Sequence, residues 1–204
     1  MRKLYQNNFE KAKKIFRNRG GMLKTGEALS AGIHPRTLYE MERSRILEKL
    51  NRGLYRLTDL PALGNPDLVI VALKVPNGVI CLISALAYYE MTTQVPHEVY
   101  VTLERGMETP RLDHPPIRTF WFSGQAFTLG IQIHRIDGVP VRIFSPEKTI
   151  ADCFKYRNKI GLDTAIEALK LYRKRKRFKT DDLMKFARVC RVEKVMRPYL
   201  EALV

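Results

Sequence analysis

Cysteine is scarce in this chain: three in 204 residues, Cys81, Cys153 and Cys190, far apart and never in a C-x-x-C pair. An odd number at such spacing gives neither a disulfide framework nor a zinc cluster. A chain of this length buries roughly 70% of its unfolded surface and needs no staple. The pattern implies buried, inert thiols in a reducing compartment. Long hydrophobic runs are missing as well. The longest is Leu68 to Leu73, and the apolar stretch from Val79 to Tyr89 is broken by Ser84, whereas a bilayer span needs about 20 residues. The opening Met-Arg-Lys-Leu-Tyr-Gln-Asn-Asn has no apolar h-region of the signal-peptide kind. The expectation is a cytoplasmic protein with no membrane partner.

Signatures of chemistry are equally sparse. His34, His97, His114 and His134 show no metal-ligand spacing, and neither a GxGxxG nor a GxxxxGK phosphate loop occurs. No metal, no cofactor and no catalytic residue is therefore expected. Ser84 lacks the flanking glycines of a nucleophile elbow, and capping a helix from Ala85 to Met91 is its simpler role. Glu147 and Asp152 stand five apart, off a common helix face, and make a poor acid/base pair. The stretch from Asp152 to Arg157 reads as local ion pairs. Glu98, Glu104, Glu108, Asp113 and Asp137 show no spacing that marks a metal triad.

What the chain has is positive charge. Thirty-six Lys and Arg face 21 Asp and Glu, a net of +15. Residues 1–60 carry 14 basic and 6 acidic groups, 61–144 carry 6 and 7, and 145–204 carry 16 and 8. Solvated helix faces would hold Glu and Lys in comparable numbers. A two-to-one basic bias at both ends points instead to a polyanion, and without a membrane signal that polyanion is nucleic acid.

The first 60 residues predict a winged helix-turn-helix. Phe9, Ala12, Ile15 and Phe16 recur at helical spacing from Asn8, a candidate N-cap, to Gly20-Gly21, giving a helix over about 8–19. Thr25 caps a short helix from Gly26 to Ala31, Gly32 closes it, and Pro35 opens a third helix running to about Ser44. On that helix Leu38 and Met41 mark one face, with Arg36, Glu40 and Arg43 nearly opposite and Tyr39 on the shoulder. The second helix of such a pair enters the major groove. Ile46 to Leu57 then reads as a hairpin around Asn51-Arg52-Gly53, a wing with Arg52 at its tip and Lys49 and Arg56 on its arms. The candidate DNA-binding residues are Arg36 and Arg43 on base edges, Thr37 and Tyr39 on a phosphate or thymine methyl, and Lys49, Arg52 and Arg56 along the backbone.

Pro61, Gly64 and Pro66 punctuate a linker, so the chain divides into a domain over 1–60 and another over 66–204. Strand candidates Glu98–Leu103, Ile117–Phe122, Gly130–Ile136 and Val139–Phe144 predict an antiparallel sheet within 66–144, the last two joined at Asp137-Gly138. Ser145-Pro146-Glu147 opens a helical tail over 145–204, with further helices at about 163–174, 180–190 and 192–202. The fold class is α+β: a winged helix, then a mixed domain with a C-terminal helical bundle. Arg173, Lys174, Arg175, Lys176, Arg177 and Lys179 form a second candidate patch. It is open between a solvated connector, a further phosphate contact and a dock for an acidic protein.

Segments spread in order along the chain resemble the AbiEi family of antitoxins from bacterial abortive-infection toxin–antitoxin pairs. They are Met-Leu-Lys-Thr-Gly-Glu-Ala (22–28), Ala-Gly-Ile-His-Pro-Arg-Thr-Leu (31–38), Arg-Gly-Leu-Tyr-Arg-Leu (52–57), Ile-Ser-Ala-Leu-Ala-Tyr-Tyr-Glu-Met-Thr (83–92) and Ser-Pro-Glu-Lys-Thr-Ile-Ala-Asp-Cys (145–153). The resemblance implies a winged helix that binds inverted repeats in its own promoter and represses it. It also implies a C-terminal region that counters a nucleotidyltransferase-like toxin, directly or indirectly. Residues 1–7 depart from the family pattern. A competing reading is a nuclease or protein-modifying enzyme delivered by the winged helix, suggested by the size of the region beyond the wing.

Overall fold

A computed structural model describes residues 2–175 and 178–202, and the chain falls into two units, Met1–Pro66 and Asp67–Val204. In the first, α1 (Arg2–Asn18), β1 (Met22–Lys24), α2 (Thr25–Ser30), α3 (Pro35–Arg43), β2 (Leu47–Asn51) and β3 (Leu54–Leu57) follow in order. The backbone is helical from Arg2, ahead of the cap expected at Asn8, because residues 2–7 hold no glycine or proline to interrupt it. Phe16, fully buried, joins Ala12, Ile33, Leu38, Met41, Leu47 and Leu57 in one apolar core. The sheet order is β1-β3-β2, all antiparallel. This helix and strand region fits a winged helix.

The second unit opens with α4 (Pro66–Lys74), β4 (Val79–Ile80), α5 (Leu82–Tyr88), β5 (Val99–Glu104) and β6 (Ile117–Phe122). It continues through α6 (Gln125–Thr128), β7 (Ile131–Ile136) and β8 (Val139–Phe144). Among the described residues it closes with the helices α7 (Pro146–Lys155), α8 (Arg157–Ile160), α9 (Leu162–Arg173), α10 (Thr180–Val189) and α11 (Glu193–Glu201). The sheet runs β6-β5-β4-β8-β7 and is mixed, which corrects the expected antiparallel sheet. β5–β6 and β4–β8 are parallel, while β4–β5 and β7–β8 are antiparallel. The physical reason is connection length: residues 105–116 between β5 and β6 are long enough for a return crossover, which a hairpin loop is not.

The helix α7 is the core element, with Glu147 to Phe154 buried without interruption. Ser145 caps it by accepting from the Lys148 N–H (3.3 Å). Lys148 and Asp152 form an ion pair inside the unit, Nζ to Oδ2 2.5 Å, with side chains 0% and 1% exposed. The ammonium also lies over the faces of Phe144 (4.2 Å) and Phe122 (4.9 Å). Burial raises the Asp152 carboxyl above its ordinary range, while Lys148 pulls it back down. Beside the pair, Tyr172 donates to Glu147 (2.5 Å) and the Cys190 thiol donates to Asp152 Oδ1 (3.2 Å). All three cysteines are free and buried. Ser84 is not the expected cap: it sits inside α5, where its Oγ accepts from the Tyr100 N–H (2.9 Å) and fastens the helix to β5.

Candidate nucleic-acid interface

The segment from α2 to the β2–β3 hairpin builds a cationic face from local signals. Gly32, at φ +87°, takes the left-handed turn between α2 and α3 that a Cβ would disfavour. Upstream, Glu27 ties the start of α2 by accepting from the Lys24 N–H (2.8 Å). His34 then caps α3, its Nδ1 accepting from the Arg36 N–H (3.1 Å), with Pro35 at the first helical position. That capping role was not read from the sequence, although a hydrogen-bonding side chain just before Pro35 is its signal. Replacing His34 by alanine removes an N-cap and is expected to lower the stability of unit 1 by about 0.5–2 kcal/mol in thermal melts followed by circular dichroism.

Leu38 (3% exposed) and Met41 (0%) lock one side of α3 into the core. The opposite side presents Arg36, Tyr39 and Arg43 to solvent, with Tyr39 75% exposed and Thr37 half-buried. Arg36 lies only loosely against Glu40, Nε to Oε1 4.0 Å. Seven residues apart, the two arginines fall on one stripe about 10 Å along the helix axis, a span near three base-pair steps of a duplex.

In the hairpin, Gly53 at φ +67° closes the turn after Arg52, and the ladder shifts register between Lys49 and Asn51. Lys49 and Arg52 are exposed. Arg56 is not on this face, and its expected place along the wing is corrected. It is 5% exposed, ion-paired to Glu48 (2.7 Å) and donating to the Pro61 carbonyl. The alternation of the strand carries the reason, since Arg56 shares the inward side of β3 with Leu54, which is fully buried. The sequence also missed β1, whose three residues pair with β3 and make the wing sheet three-stranded.

Of the second candidate patch, Lys176 and Arg177 lie outside the described residues. Arg173, Lys174 and Lys179 are exposed and Arg175 is half-buried, with the Arg173 guanidinium 5.5 Å from the centre of the Phe178 ring. Among the described residues, no three His, Cys, Asp or Glu side chains gather as a metal site, and no helix is long and apolar enough to cross a membrane.

Residues 10–58, which run from within α1 past the end of β3, match the family described as "Transcriptional regulator, AbiEi antitoxin". This is a family of DNA-binding regulators and not of enzymes. The chain is also similar to the structure described as "Crystal structure of RV2827C protein from Mycobacterium tuberculosis". The TM-score is 0.55 at 12% identity, over 93% of this chain and 79% of that one, a likeness of fold. No curated protein matches the chain.

Proposed function

We propose, from the premise that residues 10–58 are those of an AbiEi antitoxin transcriptional regulator, that this chain represses its own promoter through unit 1 and counters a nucleotidyltransferase-like toxin. The observation that carries the reading is the exposure of Arg36, Tyr39 and Arg43 on a helix whose other side, Leu38 and Met41, is sealed in the core. An arginine fork offers two parallel donors to the O6 and N7 acceptors of guanine in the major groove. Tyr39 offers an apolar ring and a hydroxyl to a thymine methyl or a phosphate. Lys49 and Arg52 set the wing against the sugar-phosphate backbone, where charge fixes position without reading sequence. Inverted repeats in the promoter are the target. Unit 2 supplies the antitoxin half of the role, by direct or indirect action on the toxin.

The test is fluorescence anisotropy with a promoter duplex and a scrambled duplex at several salt concentrations. Arg36→Ala is expected to weaken the promoter complex by about 1–3 kcal/mol and to narrow the difference between the two duplexes. Arg52→Ala is expected to weaken both alike and to flatten the log–log salt slope by about one unit. If neither substitution changes affinity, this face does not read DNA.

A further inference from the structure

In unit 2, the turn after β6, the start of α6, the end of α7 and the α10–α11 turn enclose an open cavity of ≈ 800 Å³. Lys155, Arg157, Arg188 and Arg191 line it, and no carboxylate does so among the described residues. Arg157 donates to the Phe154 carbonyl (2.9 Å), which holds its guanidinium in place. The neighbouring acids are Glu193, 3.6 Å from Arg188 and shared with Arg197 (2.8 Å), and the buried Asp152, which is paired with Lys148 and accepts from Cys190. With the first divided between two arginines and the second neutralised by Lys148, the four lining cations leave the concavity positive, and a cleft of one sign focuses its field on anions.

Arg191 reaches the cavity from a helix stop. It holds φ +58°, left-handed, at the end of α10, where the Val192 N–H returns to the Ala187 carbonyl (2.8 Å). Arg45 after α3 and Glu90 after α5 make the same left-handed stop, so the turn fixes where Arg191 stands without itself marking a site. Cys190, also among the lining residues, is 1% exposed and turns its thiol to Asp152, and burial and that carboxylate push the thiol up to about 12. A thiol in that state is a poor nucleophile.

We infer that this cavity of the second unit is a phosphate-binding site, taking a phosphate-bearing ligand of mononucleotide size. Its volume lies within the range of small-molecule sites. Arginine forks match phosphate oxygens in pairs, and three of the four cations are arginines. The ligand is either a free nucleotide or the terminal phosphate of a nucleic-acid strand, two sources of one chemistry.

The experiment titrates the full chain with N-methylanthraniloyl-ATP and competes it with tripolyphosphate or with a 5′-phosphorylated tetranucleotide. Saturable binding is expected, weakened about tenfold or more by the double substitution Lys155→Gln and Arg191→Gln, both at exposed positions. Circular dichroism melts verify that this variant is folded, and Lys155→Gln alone serves if it is not. Arg36→Ala is expected to bind the nucleotide like the parent chain, so loss of promoter reading leaves this result standing. Stronger competition by tripolyphosphate assigns a free nucleotide, and stronger competition by the tetranucleotide assigns a strand end. Absence of saturable binding up to about 1 mM for all three probes, or equal binding by a folded variant, overturns the site.

Discussion

Asp152→Ala is expected to destabilise unit 2 by about 3–5 kcal/mol, because it strands the Lys148 ammonium at 0% exposure. The remaining neighbours are ring faces, Phe144 at 4.2 Å and Phe122 at 4.9 Å. A ring quadrupole contributes about 2 kcal/mol to a desolvated cation, less than a charge loses on leaving water. The pair is not itself a large source of stability, since its attraction is offset by the desolvation of both groups. Lys148→Met with Asp152→Leu is therefore expected to lie close to the parent or above it. Urea denaturation followed by the fluorescence of Trp121, the chain's single tryptophan and a residue of β6, measures both variants. A loss below about 1 kcal/mol for Asp152→Ala means that Lys148 reaches water in solution.

Phe16→Ala is expected to destabilise unit 1 by about 3–5 kcal/mol, since it removes a fully buried ring from a small core. The same core holds Leu38 and Met41, the inward side of α3. On the proposed function, duplex affinity is then expected to be lost at temperatures where the parent still binds, although Phe16 is fully buried. Trp121 lies in the other unit and does not report this transition. Far-UV circular dichroism and hydrogen exchange at the amides of α3 do so. Unchanged exchange there at a lowered melting temperature would separate Phe16 from the support of the helix and overturn the prediction.

The third helix was legible because its signals are local. Gly32, Pro35 and the spacing of Leu38 and Met41 act within one or two turns. The burial of Arg56 is written in the strand alternation, for a cation two residues from Leu54 shares that residue's side, whereas its charge points the other way. β1 was not legible, because three residues carry too little periodicity to register. The parallel pairings were hidden for another reason: alternation fixes the faces of a strand and says nothing of which strand lies beside it. Lys148 and Asp152 have the spacing of an ordinary surface ion pair. Only the surrounding Ile150, Ala151, Cys153 and Phe154 hinted that this helix has no wet side. The cationic cavity draws on the ends of α7 and α10 and the turn after β6, a convergence set by tertiary packing.

The register of the second sheet carries a consequence for synthesis. Ile80 of β4 has its parallel partner in Ile143 of β8, so the middle of that sheet stays incomplete until the chain beyond residue 143 has left the ribosome. The wing sheet draws every strand from residues 22–57 and closes much earlier. A nascent or truncated polypeptide thus completes the three-stranded sheet of its first unit before the strands of its second sheet have all been made, so translational arrest in mid-message would release fragments with the first unit folded and the second unformed.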